Sequence, residues 1–283
     1  MHLERLIGNT PMVQISDKIY AKLETYNPSG SIKDRMAYFI LSWAKQRGKL
    51  KPGMTIVEAT SGNTGIAMSM IGSAMGHKVI IIMPRNMSQE RKSMMRVYGA
   101  EIIEVGDNAF KAAIALRNQI CADSGDHFNP RQFSNPDNIT CHKMTTGAEI
   151  IRECPNLSAF VAGSGTGGTL MGVNEALKLA RKETKIIQVQ PEESNALHGI
   201  QGINDGDDFL LDKSIVDETI FIKTKEAIAR AKRLAKENGL LVGISAGANV
   251  LAAEQWVKEN NPEHSVVTIL CDRGERYFSC FED

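Results

Sequence analysis

The chain has little that would tie it to a membrane, a metal ion or a nucleic acid. No apolar run approaches the roughly 20 residues that a membrane-crossing helix requires. The amino terminus, MHLERLIGNTPMVQI, lacks the continuous apolar core of a secretory leader. Lysine plus arginine number 33 and aspartate plus glutamate also 33, so no global field of one sign favours a polyanion. The five cysteines (Cys121, Cys141, Cys154, Cys271 and Cys280) form no C-x-x-C pair and no metal-like spacing with histidine. An odd count without a leader suits a reducing cytoplasm. These absences point to a cytoplasmic protein with a small, locally recognised ligand, and away from nucleic acid, membrane and metal.

What is present is an alternation of short β-branched runs and helical stretches. TIVEA (55–59), KVIIIM (78–83) and EIIEV (101–105) precede helices predicted near 63–75, 88–98 and 108–122. SAFVAG (158–163) precedes a helix near 167–181, and KIIQVQ (185–190), TIFIK (219–223) and VVTILC (266–271) continue the series, with helices near 225–238 and 246–258. Strands alternating with helices predict mostly parallel sheets covered on both faces, an α/β/α sandwich. Two series separated by the polar loop HFNPRQFSNPDN (127–138) predict two such modules. The stretch 191–218, rich in Gly and Asp, is the least regular. An irregular segment of that length inside a domain is more often functional than incidental.

Three strand-to-helix turns concentrate glycine and hydroxyls. GSGTGGT (163–169) satisfies G-x-G-x-x-G, the pattern of a dinucleotide site. The next strand, however, ends in Gln190 and Pro191, where that reading wants an acid for the ribose. The loop equally suits one phosphate monoester, cradled by backbone N–H groups at a helix N-terminus, or a turn for close helix–strand packing. TSGNTG (60–65) crowds Thr60, Ser61, Asn63 and Thr64 around Gly62. Such donors suit a carboxylate, and one of them alone would suffice as a helix cap. VGISAGAN (242–249) matches the G-x-S-x-G elbow of hydrolases through Gly243, Ser245 and Gly247. Its only downstream histidine is His264, with no well-placed acid between them.

NPSGSIKDR (27–35) poses a different question. Ser31 and Asp34 give an S-x-x-D start for a helix whose core-facing stripe reads Met36, Phe39, Ile40, Trp43 and Ala44. Lys33 then falls in the first turn, where the helix dipole disfavours a cation. It is either a surface lysine paired with a neighbouring acid or an amine held for chemistry.

Taken in order, NPSGSIKDR, EATSGNTGIA, MPRNMSQERKSMMRVYGAEI, QFSNPDN, TTGAEI, GSGTGGT, HGIQGI, GISAGA and CDRGERYFS resemble the fold type II pyridoxal phosphate enzymes over essentially the whole chain. They are most similar to the cysteine synthases (O-acetylserine sulfhydrylases), especially the B branch, and to the core of cystathionine β-synthases. The resemblance implies a tryptophan synthase β-like fold. A large cofactor-binding domain would comprise 1–35 and 140–283, and a small mobile domain 36–139. It implies pyridoxal 5'-phosphate joined to Lys33, with Asn63 on the ring oxygen and Ser245 facing the pyridine nitrogen. Gly165, Thr166, Gly167, Gly168 and Thr169 would hold the phosphate. Thr60, Ser61, Gly62, Thr64 and Gln132 would bind the substrate, and Gly202 would line the reacting face. The implied reaction makes L-cysteine from O-acetyl-L-serine and sulfide through an aminoacrylate. Cystathionine or lanthionine formation and sulfide release are the related alternatives. A homodimer and a complex with serine acetyltransferase are the implied assemblies. Ala148 stands where the family usually has proline, and Gln201 with Gly202 replaces arginines common in the B branch.

Overall fold

The computed structural model describes residues 3–60, 62–193 and 210–281; Ser61 and Gly202 therefore lie outside the described residues. Four parallel strands make one sheet: β3 (Thr55–Ala59), β4 (Val79–Pro84), β5 (Glu101–Val105) and β6 (His127–Phe128), in the order β5-β4-β3-β6. The other sheet has the order β1-β2-β10-β7-β8-β9. Its strands are β1 (Met12–Gln14), β2 (Ile19–Leu23), β7 (Leu157–Gly163), β8 (Lys185–Pro191), β9 (Glu218–Ile222) and β10 (Ser265–Leu270). Only the β1–β2 pair is antiparallel. The fold is thus the mostly parallel α/β architecture that the strand–helix alternation predicts.

The apolar runs are continuous because both faces of each sheet are covered. Along the small sheet, Ile56 and Ile81 face one core, while Val57, Ala59 and Ile82 face another with Ala113 of α4 (Phe110–Asp123). Along the large sheet, Ala159 and Val161 of β7 face one core, and Phe160 and Ala162 the opposite one. The first of these cores is closed by α8 (Thr224–Asn238) and α9 (Ile244–Asn260), through Ala227, Ala248 and Ala252 among others. The period of two in the strand thus divides each run between two layers. Among the described residues, no helix is long and apolar enough to cross a membrane.

Two readings of local pattern need correction. The helix α1 (Lys33–Gln46) buries Met36, Ala37, Ile40, Leu41 and Ala44, whereas Phe39 and Trp43 are only half-buried. The stripe is rotated because α1 is covered by α2 (Asn63–Ala74) and also by α5 (Asp137–His142). Phe39 and Trp43 meet on the flank in a tilted pair with ring centroids 5.0 Å apart, and the Arg47 guanidinium lies over Trp43. The loop 127–138, in turn, is more than a separator. Its first two residues form β6 on the small sheet, and α5 runs into a π-helical turn at Lys143–Gly147 before α6 (Ala148–Glu153).

A buried ionic cluster anchors the start of α1. Arg35 donates to Glu24 at 2.8 Å and to Glu149 at 2.6 Å, and Lys22 pairs with Glu149 at 2.9 Å. These side chains link β2, the start of α1 and α6, so Lys33 stands on a rigid base.

Candidate active site

The lysine turn folds differently from its local pattern. Ile32, not Ser31, holds the N-cap position of α1 and makes no side-chain cap bond, while the Ser31 hydroxyl accepts from Lys33 N–H at 3.3 Å. Asp34 instead reaches back to Ser29, accepting from its backbone N–H at 2.6 Å and from its hydroxyl. The chain reverses at Gly30, whose φ of +84° is costly for any other residue, and this places Ser29 over the first turn. Burial raises the Asp34 carboxyl to about 6, against the lowering effect of the Ser29 bonds. With Asp34 committed to Ser29, Lys33 is not a surface lysine paired with its neighbour. Its side chain lines a cavity of about 190 Å³, many times the ~10–15 Å³ one water needs by such a measure. Burial lowers its amine below the ordinary lysine range, against the opposing pulls of Cys271 and Asp272.

The second turn follows β3. Gly62 is the N-cap residue of α2, and among the described residues no side chain caps the helix. The hydroxyls of Thr60 and Thr64 are therefore not spent on capping. Thr60, Gly62, Thr64 and Gln132 all line the same cavity as Lys33. The Thr64 hydroxyl donates to Gln132 Oε1 at 2.7 Å, and Gln132 Nε2 donates to the Ala59 carbonyl at 3.3 Å. Beneath them the buried Glu58 carboxylate accepts from Ala59 N–H, Gln132 N–H and Arg117, the last at 2.9 Å. Burial raises the Glu58 carboxyl, with Arg117 opposing.

The third turn joins β7 to α7 (Gly168–Leu179). Gly167 has φ +85°, and a Cβ on it would overlap Leu211. A Cβ on Gly168 would overlap the Asn138 side chain, whose amide donates to Thr166 Oγ1 at 3.0 Å. Gly165, Thr166 and Thr169 line the cavity, while Gly167 and Gly168 shape its wall from behind. Nothing lies within 4 Å of a Cβ built on Gly165, so the loop faces open space there. Thr169 Oγ1 lies 3.4 Å from His142 Nε2. Burial, then Lys33 and Arg35, hold that imidazole well below its usual pKa, so it is neutral.

The fourth contribution is Ser245, in the first turn of α9. Gly243 is the N-cap there and Ser245 lines the cavity. His264 is exposed at the opposite, amino-terminal end of β10, which removes the hydrolase elbow. All four turns lie at the carboxyl ends of strands or beside them, where open α/β sheets bind ligands.

Several pocket residues escape sequence reasoning. Cys271, Asp272 and Tyr277, just beyond β10, line the cavity together with Arg91 of α3 (Gln89–Val97). Arg91 sits over the Tyr277 ring at 4.9 Å. The available signal is the density of polar groups in CDRGERY directly after an apolar strand. His142 has no such signal, because its place depends on the π-helical turn that follows it.

Residues 3–272 match the family described as pyridoxal-phosphate dependent enzyme. A cysteine synthase of Staphylococcus aureus is 41% identical, covering 98% of this chain and 95% of the relative. An O-acetyl serine sulfhydrylase of Entamoeba histolytica superposes with TM-score 0.89 at 37% identity, covering 99% of this chain and 90% of that one. An O-acetylserine dependent cystathionine beta-synthase of Helicobacter pylori gives TM-score 0.90 at 34% identity, covering 98% and 96%. A cavity that joins a desolvated amine to a glycine cradle and a donor-rich loop thus occurs in a chain that belongs to the pyridoxal-phosphate dependent enzymes.

Proposed function

We propose that this enzyme makes L-cysteine from O-acetyl-L-serine and sulfide by replacement at Cβ, with release of acetate. The observation that carries the proposal is the convergence of Lys33, the TSGNT loop and the GSGTGGT loop on one cavity. The likeness to cysteine synthases over nearly the whole chain gives it its substrate.

The residues fit pyridoxal 5'-phosphate. The open face at Gly165 and the N–H groups of the first turn of α7 beyond Gly168, whose own N–H is given to Thr166 Oγ1 at 3.2 Å, suit its phosphate, with the hydroxyls of Thr166 and Thr169 beside them. Gly167 and Gly168 let the loop take that shape. Asn63 would bond the ring oxygen, Ser245 would face the ring nitrogen, and Lys33 would hold the aldehyde carbon. When bound, the cofactor supplies an electron sink conjugated to the substrate Cα.

The chain's own groups do the rest. Thr60, Gln132 and the free N–H groups at the start of α2 receive the substrate carboxylate, with Ser61 and Gly202 in the supporting places that the family pattern gives them. Thr64 spends its hydroxyl proton on Gln132 and offers its backbone N–H. Burial of Lys33 favours the uncharged form of its amine, the form that can take the Cα proton and later return it. Ser245 would offer the ring nitrogen a hydroxyl rather than a carboxylate, a partner that would do little to hold a proton there and would suit elimination of acetate.

The module 36–139 closes on the bound substrate when the TSGNT loop grips the carboxylate. The protein acts as a homodimer in the cytoplasm, and serine acetyltransferase is its candidate protein partner. The test of the reaction is direct: the cofactor-loaded enzyme is given O-acetyl-L-serine and sulfide, and cysteine and acetate are measured. Equal amounts of both products support the proposal. Full cofactor loading without cysteine contradicts it.

A further inference from the structure

The side-chain amide of Asn63 is held from both ends by residues that follow β10. Its Nδ2 donates to Asp272 Oδ2 at 2.6 Å, and its Oδ1 accepts from Arg276. The clamp is itself fixed. Tyr277 donates to the same Asp272 oxygen at 2.6 Å, and Arg276 donates to the Ser29 carbonyl at 2.5 Å. The Asp272 carbonyl accepts from Gly243 N–H at 2.9 Å, and Asp272 bridges to Ser31. Asp272, Arg276 and Tyr277 are 1%, 3% and 2% exposed, so little solvent competes for these bonds.

The chemistry leaves Asn63 a single orientation. A carboxylate only accepts and a guanidinium only donates, so a flipped amide would lose both bonds and set like groups against each other. One N–H of Nδ2 remains after Asp272 is served. Asn63 lines the cavity beside Lys33, so that N–H is available to a ligand there. We propose that Asp272 and Arg276 are positioning residues that lock the Asn63 amide in one flip state, so that its second N–H is presented to the cofactor. The clamp also ties three turns together: Ser29 and Ser31 of the lysine turn, Asn63 of the TSGNT loop and Gly243 beside Ser245. The proposal rests on the reading of Asn63 as a cofactor contact.

The experiment is a double-mutant cycle on the full-length enzyme, read as the cofactor dissociation constant by equilibrium dialysis together with the visible absorption maximum. Asn63→Ala should weaken cofactor binding roughly tenfold, the loss of one hydrogen bond to a charged or polarised group. Asp272→Ala should weaken it about fivefold or more and shift the absorption, yet add less than about twofold on top of Asn63→Ala, because it acts through that side chain. Asp272→Asn keeps an acceptor oxygen and should stay within about threefold of the native enzyme. The clamp is overturned if Asp272→Ala has no effect, if its effect is undiminished in the Asn63→Ala background, or if Asp272→Asn is as impaired as Asp272→Ala. If Asn63→Ala itself binds cofactor normally, the reading of Asn63 fails and the clamp's purpose fails with it. Where Asp272→Ala does not fold, Arg276→Met takes its place in the cycle: a loss of cofactor affinity that vanishes in the Asn63→Ala background supports the clamp, and no loss, or an undiminished one, overturns it.

Discussion

The Thr64 hydroxyl donates to Gln132 Oε1 across 2.7 Å, joining the loop after β3 to the loop after β6. One proton is thereby committed, and the geometry decides what each residue has left for a substrate. Gln132 retains an N–H, and Thr64 retains its backbone N–H at the start of α2. Gln132→Ala should therefore raise KM for O-acetyl-L-serine at least about tenfold, as loss of a bond to a carboxylate does, and leave the cofactor's absorption unchanged. Steady-state kinetics with a spectrum of each variant checks it; a shifted spectrum with unchanged KM would place Gln132 on the cofactor instead.

The glycine cradle makes a steric prediction. A Cβ on Gly168 would overlap Asn138, whose amide supports both Thr166 Oγ1 and the Gln132 carbonyl at 3.0 Å. Gly168→Ala should displace that amide and weaken cofactor retention by about tenfold or more, on the order of one lost charge-assisted bond. Gly76→Ala is the control for stability. Nothing lies within 4 Å of a Cβ there, and its φ of +83° imposes the backbone cost alone. Cofactor content after dialysis should fall in the first variant and hold in the second.

Much of this arrangement is legible in the sequence because the signals are local. TIVEA, EIIEV and the other runs appear as strands close to their predicted limits, since two covered faces demand uninterrupted apolar residues. The glycine loops identify themselves by hydroxyl density at helix starts. What escapes are relationships set by tertiary packing. Ser31 has the pattern of a cap, but the reversal at Gly30 gives Asp34 to Ser29. Phe39 and Trp43 match the helical period, but α5 and α2 claim a different face of α1. Asp272 and Arg276 are 209 and 213 residues from Asn63, a distance no periodicity spans.

The buried cluster beneath the lysine turn predicts a pH dependence of stability. Burial alone would raise the Glu149 carboxyl, but Arg35 and Lys22 outweigh it and hold it at about 2, below its ordinary value of 4.5. A depressed carboxylate stabilises the fold above the unfolded pKa, and that contribution disappears as pH falls from 4.5 towards about 2. Glu149→Gln should cost roughly 3 kcal/mol near pH 7, an order-of-magnitude figure for a broken buried pair. The difference from the native protein should shrink steadily as pH falls towards 2, where native Glu149 is itself half protonated. Urea unfolding across this range checks it; a constant difference would show that the side chain acts by packing and not by charge. Asp34, raised to about 6, runs the opposite way: its contribution is lost as pH rises from 3.8 through 6.

Everything proposed for the cavity depends on Lys33 being the reacting amine. The deciding measurement is the visible spectrum of cofactor-loaded Lys33→Ala, taken together with its rate of cysteine formation. The native absorption band should be lost, with no response to O-acetyl-L-serine. Turnover should fall by about 10²–10⁴-fold or more, the range for removing a general base. A variant that keeps the native band and near-native turnover would show that the reacting amine lies elsewhere.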